Sequence, residues 1–170
     1  RKEALEIPNK FIIGTHPTDL PFNRGRHPLH WLIALGISKT KLSFFKIDQG
    51  VDTGEVLLQL PFRIEKNESI RELNYKMNQI AYDGMLELCG LLVSNFQAKK
   101  QNHKQSNYWR KRTPHDITLD LRMSADLIKR LVKSFSLPYP CANLIFRNEV
   151  IKITDINILV SVLDNEALRR

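Results

Sequence analysis

The chain has little of what several large protein classes require. No apolar run approaches the ~20 residues that a membrane-spanning helix needs, and the opening RKEALEIPNK holds no hydrophobic segment of a secretory signal. Only two cysteines occur, Cys89 and Cys141. They are far apart and lack metal-ligand spacing, so they read as reduced thiols in a cytoplasmic protein. The seven glycines form neither GxGxxG nor a P-loop, and CxxC and HExxH are absent. No serine sits in a nucleophile elbow. Together these gaps set aside dinucleotide fingerprints, P-loop NTPases, zincins, dithiol redox enzymes and serine hydrolases. Internal repeats and low-complexity segments are also missing, which removes solenoids.

What is present reads as globular. Hydrophobic residues make up 42% of 170, enough for a buried core and one domain with room for an appendage. Lysine and arginine number 26 against 18 acids, a formal +8 that favours a phosphate-bearing partner. The excess is uneven: Lys99, Lys100, Lys104, Arg110, Lys111 and Arg112 fall in a stretch with no Asp or Glu. That stretch is either a solvated linker or a phosphate-facing strip. Charge alone does not separate nucleic acid, nucleotide and anionic lipid.

In chain order, residues 1–7 read as the tail of a helix closed by Pro8 and Asn9. Phe11 to Ile13 reads as a short strand buried on both faces, as in α/β proteins. Such a strand needs neighbours that nothing before it supplies, so the chain reads as a piece of something longer. A Pro- and Gly-rich loop follows, then a helix from Pro28 to Leu35 that stops at Gly36. Thr40 to Asp48 alternates as a strand, with Leu42 and Phe44 on one face and Phe45 and Ile47 on the other. Glu55 to Ile64 is the next strand, placed near an edge by Pro61.

Asn67 or Ser69 caps a long helix whose Ile70, Leu73, Met77, Ile80, Gly84, Leu88 and Leu91 share one face. Residues 97–116 form a basic linker by composition. Beyond it Ser124 caps a helix with an apolar stripe at Leu127, Leu131 and Phe135. Ala142 to Phe146 and Val150 to Thr154 then read as a hairpin. The expected division is a larger unit over 1–96, itself a partial domain, the linker over 97–116, and a small helix-plus-hairpin unit over 117–170.

Two residues stand out chemically. His16 lies at the end of the first strand, and Asp52 sits in a tight turn between Gly50 and Gly54. The intervening helix, taken as a crossover, brings both loops to one sheet edge, where the two side chains face one another as an acid–base pair. Singly, each is as well explained as a loop or turn residue. Arg24 and Gly25 follow in the same loop. That arginine suits a phosphate or carboxylate and equally suits a backbone carbonyl. His27 and His30 read as structural or exposed, and His103 and His115 as solvated.

These residues form an ordered set: His16-Pro-Thr-Asp-Leu-Pro21, Arg24-Gly25, Pro28, Trp31, Gly36 with Thr40, Asp52-Thr-Gly54 and Gln59. The set resembles the folate-dependent formyltransferases, whose pattern is N-x-H-x-S-L-L-P-x-x-R-G followed by D-x-G. The likeness covers Leu5 to about Gln59 and resumes at Arg112-Thr-Pro114, Met123-Ser-Ala125 and Pro138-Tyr-Pro-x-Ala142. This later part resembles the methionyl-tRNA and nucleotide-sugar enzymes and not the purine-pathway enzyme.

The resemblance implies the C-terminal part of a Rossmann-like α/β formyltransferase domain followed by a small α+β unit. It implies formyl transfer from N10-formyltetrahydrofolate, as co-substrate and without a metal, to an amine. His16 and Asp52 fall on the catalytic positions. Gln49, Gly50, Val51 and Asp52 lie along the pteridine, and Arg24, Gly25 and Arg112 face the acceptor.

One departure is Gly14, where the family carries an asparagine whose amide contacts the formyl oxygen; Asn23 is the candidate replacement. The short stretch after Ala142 favours a nucleotide-linked amino sugar as acceptor, as in lipopolysaccharide synthesis. Methionyl-tRNA is the alternative, and a degenerate non-catalytic binding domain the second. The expected partners are thus a nucleotide sugar, or tRNA under the alternative, and no membrane; oligomeric state stays open, a homodimer included.

Overall fold

The computed structural model describes residues 2–94 and 96–158. Its centre is a three-stranded sheet in the order β1-β3-β4, from β1 (Ile13–His16), β3 (Lys39–Lys46) and β4 (Val56–Arg63). Before it lies a single helical turn, α1 (Lys2–Leu5). All pairings in the sheet are antiparallel, with His16 opposite Ser43 and Lys41 opposite Pro61. This corrects the expected first strand, which begins at Ile13 and has only half-buried apolar residues. It also corrects the crossover. The segment between β1 and β3 returns the chain antiparallel, through β2 (Arg24–Gly25) and α2 (Pro28–Ala34).

The alternation read from sequence places Leu42 and Phe44 in the main core and Phe45 in a separate cluster with Leu20 and Val56. Against the first face lies α3 (Ile70–Val93), begun by Ser69 and Glu72 in a capping box. Its buried stripe is Ile70, Leu73, Met77, Gly84 and Leu88. Each large member removed from water contributes about 1.5–3 kcal/mol. At Gly84 the helix approaches the sheet so closely that a Cβ would strike the Phe44 ring. A larger residue there would push helix and sheet apart.

The segment expected as a basic linker is strapped to this unit. Lys99 exchanges both backbone hydrogen bonds with Val56. Further on, β5 (Tyr108–Trp109) pairs in parallel with β2. Past it, α4 (Ala125–Ser134) packs on α2, burying Ile128, Leu131 and Val132 with Ala34. The last described elements are β6 (Ala142–Phe146) and β7 (Glu149–Ile153), an antiparallel hairpin. Its two-residue turn, Arg147-Asn148, has φ of 47° and 65°, the mirror-image geometry that matches strand twist. The rest of the expected C-terminal unit, after residue 158, lies outside the described residues.

Candidate functional site

Because β1 ends beneath the loop that follows β3, His16 and Asp52 meet. His16 Nδ1 lies 3.5 Å from Asp52 Oδ2, and the imidazole is buried. Its other nitrogen, Nε2, is 2.8 Å from the carbonyl oxygen of Asn23. A carbonyl only accepts, so Nε2 carries a hydrogen. Nδ1 faces the carboxylate.

Asp52 is held by its turn. Its own φ is 55°, a left-handed conformation that asparagine and aspartate tolerate better than most residues. The Gly25 amide donates to Oδ2 at 2.8 Å. Gly25 in turn needs to be glycine: its φ is 105°, and a Cβ would run into the Trp109 carbonyl. Oδ1 accepts no hydrogen bond among the described residues and remains open to an incoming donor. Gln49, Gly50 and Val51 lead into this turn on the exposed surface, where Asp48 Oδ1 accepts from the Gly50 amide.

The two arginines expected at the acceptor side are internal. Arg24 is 1% exposed and donates to Gln101 Oε1, through Nε at 3.2 Å and Nη2 at 2.7 Å, and to the Tyr108 hydroxyl at 2.9 Å. Its planar fork satisfies neutral acceptors, and a guanidinium enclosed in this way does not reach an acceptor in solution.

Arg112 is 4% exposed and bridges α2 and α4, donating to Ser134 Oγ and the Asp116 carbonyl oxygen, with the Phe135 ring 4.2 Å away. Burial lowers its pKa to about 10. The charge strip is thinner than its composition suggests, since Arg110 pairs with Asp116, whose carboxyl is held well below the usual carboxylate range. Lys99, Lys100, Lys104 and Lys111 stay exposed.

The Gly14 position is filled. A Cβ there would lie 3.0 Å from Phe45 Cζ and 3.0 Å from Ile47 Cγ1. Asn23 is tied to Asn107, its side-chain oxygen accepting from Asn107 Nδ2 and its backbone amide donating to Asn107 Oδ1.

Sequence reasoning missed Gln101. Only 8% exposed, it touches both Arg24 and the Asp52 turn. One amide among several uncharged residues of a basic stretch gave no signal. His30 is buried, with Nδ1 2.5 Å from the Ser134 carbonyl oxygen, and burial lowers its pKa to about 4. No group of three His, Cys, Asp or Glu suited to a metal occurs among the described residues. A cleft of about 200 Å³ between α2, the end of β4 and α4 shares none of the His16–Asp52 cluster.

The sequence profile of the formyl transferase family matches residues 1–89. The chain belongs to that family. Among curated relatives, the methionyl-tRNA formyltransferase of Prochlorococcus marinus (strain AS9601) is 32% identical over 168 residues, 94% of this chain and 50% of that protein. The enzyme of the same name from Clostridium thermocellum superposes with a TM-score of 0.71 at 27% identity, covering 86% of this chain and 62% of that one.

An N-formyltransferase from Helicobacter canadensis, solved with folinic acid and dTDP-3-aminofucose, gives 0.65 at 19% identity, covering 81% and 51%. At that identity it shows the fold alone. The chain spans about half the length of the curated relatives it matches. The described elements within residues 1–89 therefore belong to an α/β formyltransferase domain, its sheet antiparallel in this portion. No described helix is long and apolar enough to cross a membrane.

Proposed function

We propose that the protein transfers a formyl group from N10-formyltetrahydrofolate to the amine of methionyl-tRNA. The observation that carries the chemistry is the 3.5 Å His16–Asp52 contact with Asp52 Oδ1 left open. The amine nitrogen attacks the formyl carbon, and its proton passes to Asp52. The bond from that carbon to folate N10 then breaks, and N10 takes a proton as tetrahydrofolate leaves. His16 stabilises the negative charge that develops on the formyl oxygen. The exposed loop 49–52 supplies a surface for the pteridine. In support, a structural neighbour was solved with folinic acid.

The acceptor reading rests on the relatives at about 30% identity, which are methionyl-tRNA formyltransferases. Length beyond Ala142, the earlier reason for a nucleotide sugar, no longer discriminates because the chain spans half of those relatives. Exposed Lys99, Lys100, Lys104 and Lys111 suit a phosphodiester backbone. A nucleotide-linked amino sugar is the second reading, favoured by the dTDP-sugar complex of the same fold.

The test is formylation by full-length protein of charged initiator tRNA and, separately, of dTDP- and UDP-amino sugars, followed by mass spectrometry. Formyl-methionyl-tRNA is the expected product, and turnover of the sugars alone overturns the acceptor. His16→Ala and Asp52→Asn are expected to lose about 10²–10⁴-fold in rate. Full activity in both, with folding intact by circular dichroism, overturns the site.

A further inference from the structure

The residues around Asp52 form a chain of contacts that the reaction scheme does not use. Gln101 is its hub. Its Nε2 donates to the Asp52 carbonyl oxygen at 2.9 Å and to the Gly54 carbonyl oxygen at 2.6 Å. Its Oε1 accepts twice from Arg24, and Arg24 precedes the glycine whose amide holds Asp52 Oδ2. One side chain thus grips the turn from its backbone and, through Arg24 and Gly25, from its carboxylate.

Gln101 is itself fixed. Two residues before it, Lys99 is bonded to Val56 in both directions, and Val56 opens the strand that follows the Asp52 turn. Beyond Gln101, β5 pairs with β2, so the strap that carries Gln101 also holds the Arg24–Gly25 backbone. The turn needs such support because Asp52 itself is left-handed and its neighbours Gln49, Gly50 and Val51 are exposed. An amide is the group this position requires. It presents an acceptor to a cation and a donor to two carbonyls at once, which a carboxylate, a hydroxyl or an apolar chain of that length does not.

We infer that Gln101 is a positioning residue that sets the Asp52 carboxylate against His16. This rests on the catalytic reading of Asp52 for its effect on rate, but not for its effect on geometry. Gln101→Glu keeps the pairing with Arg24 and turns the grip on the two carbonyls into repulsion. Gln101→Met, close in length, removes both sides and serves as a second variant if either one fails to fold. A misplacement of about 1 Å costs on the order of 10²-fold in rate. Gln101→Glu is therefore expected to lower kcat of the full-length protein about 10²-fold.

A general loss of structure does the same, so the deciding readout is coupling. In an Asp52→Asn background, Gln101→Glu is expected to change kcat by less than about threefold, because residues acting through one another are not additive. In parallel, the ¹⁵N shift of His16 Nδ1 at fixed pH is expected to move in Gln101→Glu in the direction it moves in Asp52→Asn, with no further change in the double variant. Unchanged His16 resonances in folded Gln101→Glu and Gln101→Met overturn the inference, as do additive effects in the double variant. The expected His16 response with no formyl transfer in any form supports the positioning and overturns only the catalytic assignment.

Discussion

Gly14→Asn would return to this chain the amide that the resemblance places two residues before His16. Its cost follows from what surrounds that position. A Cβ at residue 14 lies 3.0 Å from Phe45 Cζ, 3.1 Å from Phe45 Cε1 and 3.0 Å from Ile47 Cγ1, and an amide extends further into the same space. Phe45 is opposite Gly14 in the β1–β3 register and is packed with Leu20 and Val56, so the ring does not swing freely aside. Inserting atoms into such a site costs about 1–3 kcal/mol, and each kcal/mol lowers Tm by about 2–4 °C for a chain of this size.

Phe45→Leu removes the ring tip. The penalty of Gly14→Asn is then expected to shrink by about 1 kcal/mol in the Phe45→Leu background, measured by urea denaturation of all four proteins. In that relieved background the amide stands on the same face of β1 as His16. A preorganised donor to a developing oxyanion is worth about 2.7–4 kcal/mol, or roughly 10²–10³ in kcat. The double variant should accordingly transfer formyl groups faster than Phe45→Leu alone. A cost for Gly14→Asn below about 0.5 kcal/mol, or one that Phe45→Leu leaves unaltered, would refute the reasoning, since it means the ring does not occupy the amide's place.

Two further expectations concern stability. His30 has a native pKa lowered to about 4 against an ordinary 6.5. The unfolded chain therefore binds the proton first as pH falls, and stability is complete above about 6.5 and declines towards 4. The full change is roughly 3 kcal/mol; urea titrations at pH 7 and pH 4.5 should show the decline, and His30→Asn should flatten that part of the profile. Ser69→Ala removes the hydroxyl that accepts from the Glu72 amide at the start of α3. It is expected to cost about 1 kcal/mol, read as a lower urea midpoint with unchanged slope.

What was legible in the sequence shared one property: its signal is local. The helix cap, read as Asn67 or Ser69 and found at Ser69, the α3 stripe, found without Leu91 and with Ile80 half-buried, and the Phe44/Phe45 alternation each lie within a few residues. Strand direction is different. The stretch from His16 to Lys39 is long enough to return the chain either way, and periodicity carries no arrow. Arg24 and Arg112 were expected at the acceptor because arginine in a motif suggests an outside ligand, whereas these guanidiniums find internal acceptors far off in sequence, Gln101 and Ser134. The segment 97–116 was judged by its charges, yet Gln101, Tyr108 and Trp109, which carry none of them, make the contacts. His16 and Asp52 were found through residue order, and their distance came only with the structure.

The strap formed by residues 99–109 also bears on how such a protein diversifies. Its lysines are exposed, while Gln101 grips the turn that carries Asp52 and β5 pairs with β2. On the proposed reading, selection for a new acceptor acts on the outer side, and insertions or shifts of register there reach the carboxylate through Gln101. Acceptor choice and turnover would then not be independent traits. A change of substrate that lengthens or re-registers the strap carries a cost in rate until the inner side is restored.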